Sequence, residues 1–180
     1  MSENLLDVVT KLQQQITLLE QRIEKLEKNK PKQQSNNSIV FNKPSMECID
    51  WIKSFELTQD HLTLLFAQGY IQGMTMILCE MIEQCDNPPI IGCSDKKKQF
   101  FTYINEKWQS TDNKTFDTIR LAIEFKIMKL FKTWKEENPK YLTDAYCEIY
   151  AKYYQNVMGT KLNKSTIIVK LKSSLYNALL

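Results

Sequence analysis

Leu5, Val9, Leu12, Ile16, Leu19, Ile23 and Leu26 are separated alternately by four and three residues. That alternation is a heptad seam, and its 3.5-residue period commits residues 1–30 to a helix that must find partner helices to cover it. Leucine holds the d positions, and Val9, Ile16 and Ile23 hold the a positions. β-Branched residues at a with leucine at d favour two parallel strands. Two features point to three strands instead: Leu6 and Val8 widen the apolar stripe, and Arg22-Ile23-Glu24-Lys25-Leu26-Glu27 resembles the R-h-x-x-h-E pattern of parallel trimers, where h is apolar. The expected state is a parallel homotrimer, with a dimer as the alternative. Arg22 at g and Glu27 at the following e pair across parallel chains only. An exposed pair contributes about 0–1 kcal/mol, so it selects direction while the seam supplies affinity.

Residues 31–44 are polar and bounded by Pro31 and Pro44, which marks a linker interrupted only by Ile39, Val40 and Phe41. Residues 45–180 are expected to form a helical domain. A first short helix is predicted from Ser45 to Phe55, with Ile49, Ile52 and Phe55 inward. A second is capped by Thr58, buries Leu62, Leu65 and Phe66, and ends at Gly69; a third runs from Ile71 to Cys85 with Met74, Ile77, Leu78, Met81 and Ile82 as its core stripe. Asn87-Pro88-Pro89 stops the helices, and a small β-hairpin or meander is expected at about 90–109, turning at Asp95 to Lys98. The longest predicted helix, Thr115 to Asn138, carries one stripe of Phe116, Ile119, Ile123, Ile127, Leu130 and Trp134. A second stripe, Leu121, Phe125 and Met128, lies nearly opposite, which predicts a central helix apolar on two sides. A further helix bearing Tyr146, Ile149, Tyr150, Tyr153 and Val157 is capped by Asp144 and closed by Gly159. The last spans Ser165 to Leu179, with Ile168, Leu171, Leu175 and Leu179 inward. The expected class is therefore mainly α: a parallel coiled coil, a linker, then helices with a small hairpin.

The residue types that carry catalysis or bind metal are scarce. His61 is the sole histidine, no Gly-rich phosphate loop, G-x-S-x-G or H-E-x-x-H occurs, and Cys48, Cys79, Cys85, Cys93 and Cys147 show no C-x-x-C spacing. We expect neither an enzyme nor a cofactor or metal site, and the cysteines read as reduced, mostly buried thiols. No apolar run approaches the roughly 20 residues that cross a bilayer, so no membrane partner is expected. The amino terminus shows no secretory pattern, so an intracellular location is expected.

Charge is divided along the chain. Ser45 to Asn87 carries seven acidic residues and one lysine, whereas Pro88 to Leu180 carries sixteen basic and nine acidic residues. The basic half offers Lys96, Lys97, Lys98, Lys152, Lys161, Lys164, Lys170 and Lys172 as candidate nucleic-acid contacts, with Tyr150, Tyr153 and Tyr154 among them. The competing readings are lysines that solvate helix faces, and head-to-tail contact between acidic and basic halves of different subunits.

The runs L-T-Q-D-H-L-T-L-L-F, G-Y-I-Q-G-M-T-M-I-L-C-E-M-I and N-P-P-I-I-G-C-S-D-K-K-K-Q-F-F-T-Y-I-N-E-K-W, between Leu57 and Trp108, resemble a family of coiled-coil proteins of giant and other large nucleocytoplasmic DNA viruses. In that family a coiled coil precedes helices, a hairpin ending in tryptophan, and a helical tail with a K-E-N-P-like break, matched here by Lys135-Glu136-Glu137-Asn138-Pro139. The resemblance implies a viral structural or interaction protein, a virion or assembly component, whose partners are itself and other viral or host proteins. It implies the host cytoplasm or viral factory as the location, with the virion as alternative. Some relatives carry an N-terminal zinc finger, which implies nucleic-acid binding; this chain lacks that finger. An oligomeric nucleic-acid-binding or regulatory protein is the second reading.

Overall fold

A computed structural model describes residues 41–93 and 99–179 of the chain. The expected coiled-coil seam, Leu5 through Glu27, and the lysines Lys96, Lys97 and Lys98 lie outside the described residues. Six α-helices and a three-stranded antiparallel sheet account for most of what is described, a mainly α architecture.

The first helix, α1 (Cys48–Ser54), is shorter than its apolar pattern predicts and buries Cys48, Trp51 and Ile52. Glu47 rather than Ser45 stands at its amino terminus, and Phe55 lies beyond its end in extended backbone. Seven residues cannot sustain a helix alone. Lys126, from a distant helix, holds the far end: its ammonium donates to the carbonyls of Ile52 (3.0 Å), Lys53 (2.7 Å) and Phe55. A cation there satisfies orphan carbonyls and complements the negative end of the dipole.

Helix α2 (Gln59–Gln68) starts at Thr58 as expected, and its capping box is completed by His61, whose Nδ1 accepts the Thr58 N–H at 3.0 Å. Gly69, at φ 77°, ends α2 and begins α3 (Tyr70–Glu83), so the two helices meet at a single residue. Gly73 lets them pack closely: a Cβ there would lie 2.7 Å from a Leu65 methyl and 3.1 Å from its Cα. The expected stripe of α3 is in the core, with Met74, Ile77, Leu78 and Met81 buried and Ile82 half-buried.

Strands β1 (Ile90–Gly92), β2 (Phe100–Ile104) and β3 (Lys107–Ser110) pair in sequence order, a meander of three strands rather than one hairpin. Asn105 (φ 51°) and Glu106 (φ 59°) form the tight β2–β3 turn in the left-handed region, the conformation that two-residue hairpin loops demand. The sequence lacks the Asn-Gly or Asp-Gly that would advertise such a turn. Phe100 and Thr102 are fully buried, and Thr102 bonds the hydroxyl of Thr111. Phe41, assigned to the linker by composition, packs between Phe101 (5.2 Å) and Trp108 (4.9 Å), and the Trp108 indole donates to the Asn42 carbonyl at 3.3 Å.

Helix α4 (Asn113–Glu137) begins at Asp112, whose carboxylate accepts the Thr115 N–H at 2.6 Å, and stops before Pro139. Two 3₁₀ turns, Pro139–Leu142 and Asp144–Tyr146, reverse the chain into α5 (Cys147–Met158). Asp144 therefore belongs to a turn and does not cap α5. Gly159 closes α5 in the left-handed conformation, φ 62°, as expected. Helix α6 (Lys164–Leu179) buries Ile167, Ile168, Leu171 and Leu175 against α3. Leu179 remains half-buried. Helix α2 packs on α3 and α5, and α4 packs on α1 and α2, so one core runs through the described residues.

Candidate interaction groove

Helix α4 has an inner and an outer face. Phe116, Ile119, Ile123 and Ile127 are buried, as the first stripe predicts, whereas Leu130 and Trp134 are half-buried and Phe131, outside both stripes, is buried. The second stripe behaves differently: Leu121 is 48% exposed, Phe125 63% and Met128 37%. The expectation of a helix enclosed on both sides is thus corrected for the described residues. Among the described residues the second stripe stays open to solvent while the first is packed into the core.

The exposed stripe continues with helical spacing into Lys132 and Lys135, and Lys129 flanks it. Past the turns at Pro139 and Asp144, α5 lays Tyr150 and Tyr154 beside Phe131, with ring centroids 6.0 and 6.3 Å away. The result is a groove of about 360 Å³ walled by Phe125, Met128, Phe131, Tyr150 and Tyr154 and rimmed by Lys129, Lys132 and Lys135. The Lys129 ammonium sits 4.6 Å from the Phe125 ring centroid, and that of Lys135 lies 5.8 Å from Tyr150. Among the described residues none of these three lysines forms an ion pair. Behind the groove lies an aromatic cluster: Phe66 stacks on Tyr153 at 4.1 Å, and Phe131 lies parallel to Trp134 at 5.6 Å. Rings packed this way form a stiff floor.

One cleft shares a wall with the groove, and a further cleft shares a wall with that one. Lys129 also borders a cleft of about 370 Å³ between α1 and α4, together with Lys53, Phe55 and Glu56. Phe55 and Glu56 in turn border a third of about 490 Å³, lined by Asp60, His61, Leu64 and Glu80. The wall of this last cleft is acidic. His61 is 7% exposed, and because its Nδ1 accepts the Thr58 N–H, the neutral ring carries its proton on Nε2. Nε2 lies 3.2 Å from the Glu80 carboxylate but out of line for a hydrogen bond, and the other Glu80 oxygen accepts from Gln84 at 2.9 Å. Asp60, adjacent in sequence, makes no ion pair with this ring among the described residues.

A separate polar cluster joins α3, α4 and α6. Arg120, one of the two arginines, is buried and donates to Asp117 (2.9 Å), the Tyr70 hydroxyl (2.9 Å) and Glu124. Lys164 bonds the other Asp117 oxygen at 2.6 Å. Burial pushes the Asp117 carboxyl up, but Lys164 and Arg120 outweigh it and leave it below the ordinary range. Burial raises the Tyr70 phenol to about 12 despite its bond with Arg120. Every member has a partner, so the cluster fastens helices together. Beside it, Lys161 and Lys170 line a cleft of about 480 Å³ with Gln68, Gln72, Gln155 and Asn156.

The lysines singled out from the sequence are therefore dispersed. Lys161 and Lys170 share that cleft, and Lys152 is exposed one helical turn before Gln155 and Asn156. Lys164 is held by Asp117. Lys172 is half-buried, donating to the Thr111 carbonyl (3.1 Å) and to Asn113 (3.3 Å). Burial lowers its pKa. Sequence pattern does not single out the groove lysines; their signal is a position that continues an apolar stripe, for Lys132 and Lys135, or flanks it, for Lys129.

No protein-family model matches the chain, and neither do curated proteins or solved structures.

Proposed function

We propose that this chain is a structural or interaction protein, an assembly component that binds other proteins through the α4–α5 groove. The carrying observation is that exposed Phe125 and Met128, which continue the stripe from Leu121, lie beside Tyr150 and Tyr154 and are rimmed by lysines that form no ion pair among the described residues. Large apolar side chains gathered in a groove mark protein contact surfaces, and Tyr, Phe and Met are the types enriched at interface centres. A coiled coil over residues 1–30, a trimer or alternatively a dimer, multiplies weak groove contacts by raising effective concentration. The resemblance of residues 57–108 to giant-virus proteins supports a place in virion assembly, and the role is one of binding rather than catalysis.

The test compares tagged full-length chains in the cells that make the protein. Phe125→Glu is expected to remove most co-purifying partner proteins, while Leu142→Glu, at an exposed leucine outside the groove, leaves them. Equal recovery with both variants removes the groove from the function.

A second reading, nucleic-acid binding, is favoured by the convergence of Lys161 and Lys170 on one amide-lined cleft. It requires single- or double-stranded DNA binding that weakens steeply with salt and is lost in Lys161→Glu, Lys170→Glu.

A further inference from the structure

The basic groove and the acidic cleft are linked through the α1–α4 cleft, which shares a wall with each. Lys129 is a wall of both the groove and the α1–α4 cleft, and Glu56 is a wall of both that cleft and the acidic one. The strip they form runs from Lys132 and Lys135, beside exposed Phe125 and Met128, through Lys129, to Glu56 and Asp60. Half-buried Phe55 and Leu64 lie at its acidic end.

We propose that this strip is a two-fold contact between two copies of the chain, the acidic end of each seated on the basic end of the other. The inference rests on the groove being an interaction surface, and it names the occupant. A patch of opposite charge at its two ends, with apolar side chains at both, complements itself when rotated by half a turn, which is what an isologous interface requires. Other occupants match only part of it. A nucleic-acid strand meets Lys132 and Lys135 but is repelled by Glu56 and Asp60. An acidic helix from another protein satisfies the basic end and leaves the carboxylates facing it.

The test uses purified full-length chain. An equal mixture of isotopically light and heavy chains, treated with a carbodiimide, is expected to give mixed-isotope cross-links joining Lys132 or Lys135 to Glu56 or Asp60. Sedimentation of the chain carrying Ile16→Asp and Ile23→Asp, which removes any contribution of the heptad seam, is expected to show reversible dimers by about 100 µM, an affinity ordinary for a modest contact. In that background K132E/K135E and E56K/D60K should each weaken the dimer at least about tenfold, and mixing the two variants should restore it, because like charges face each other in each alone and opposite charges meet in the mixture. Cross-links confined to one isotope class overturn the proposal, as does a seam-altered chain that stays monomeric. So does an oligothymidylate or an acidic helical peptide that occupies the groove indifferently to E56K/D60K. In any of these cases the loss of partners in Phe125→Glu still stands or falls by itself, so the groove and its occupant are judged separately.

Discussion

Gly159 closes α5 at φ 62°, and a Cβ there would lie 2.9 Å from the Tyr70 ring. An alanine meets both a strained backbone and an aromatic ring anchored to Arg120 by a 2.9 Å hydrogen bond. Gly159→Ala is expected to cost about 1–3 kcal/mol in urea unfolding; an unchanged midpoint would show that the turn relaxes freely. Thiol chemistry separates the cysteines in the same way. Cys48 is fully buried and its thiol is pushed up to about 12, whereas Cys147 is exposed. At pH 8 a thiol reagent should modify Cys147 on mixing and reach Cys48 only as the chain unfolds. The same burial has a consequence for alkaline stability. The unfolded Cys48 thiol loses its proton near 9.0 and the folded one near 12, while the Tyr70 phenol shifts from 10.0 to about 12. Above these lower values the unfolded chain binds fewer protons than the folded one, so stability is full below pH 9 and falls as pH rises toward 12. Thermal melts across that window check it, and Cys48→Ala should flatten part of the slope.

At the scale of the element, α1 and the β2–β3 turn depend on ties that sequence patterns do not display. The α1 carbonyls are held by Lys126, more than seventy residues away in the chain. Lys126→Met keeps the stem and removes the donor, leaving part-buried carbonyls to water; a loss of about 1 kcal/mol is expected. Amide exchange should rise first in Cys48–Ser54. Glu106, at φ 59°, pays for a left-handed backbone, so Glu106→Gly should stabilise the sheet by about 0.5–1 kcal/mol, read as a raised melting temperature. The helices α2, α3 and α6 and the inner face of α4 were legible in advance because each buries a single stripe, and burial leaves a 3.6-residue period in the sequence. The outer stripe of α4 carries the same period without the same fate. Periodicity records that a face is apolar and says nothing of what covers it.

At the scale of the molecule, the division of charge matters more than its net value. In the folded unit the acidic cleft of Glu56, Asp60 and Glu80 is linked through the α1–α4 cleft to a groove rimmed by lysines. Association through this strip should weaken between low and high salt, since exposed charges are screened within about 10 Å at 0.1 M. For the seam, intact mass should fall from oligomer to a lower state in Ile16→Asp, Ile23→Asp; an unchanged mass would remove the coiled coil from the account. Local pattern was enough to determine the mainly helical class, the breaks at Gly69, Pro139 and Gly159, and most of the core, because these depend on near neighbours in the chain. The tertiary structure alone decided that Lys126 caps α1, that Lys164 and Lys172 are engaged internally, and that Phe125 and Met128 meet Tyr150 and Tyr154 in the open. Those outcomes depend on which surfaces the chain brings together across long separations, and a one-dimensional period holds no information about that.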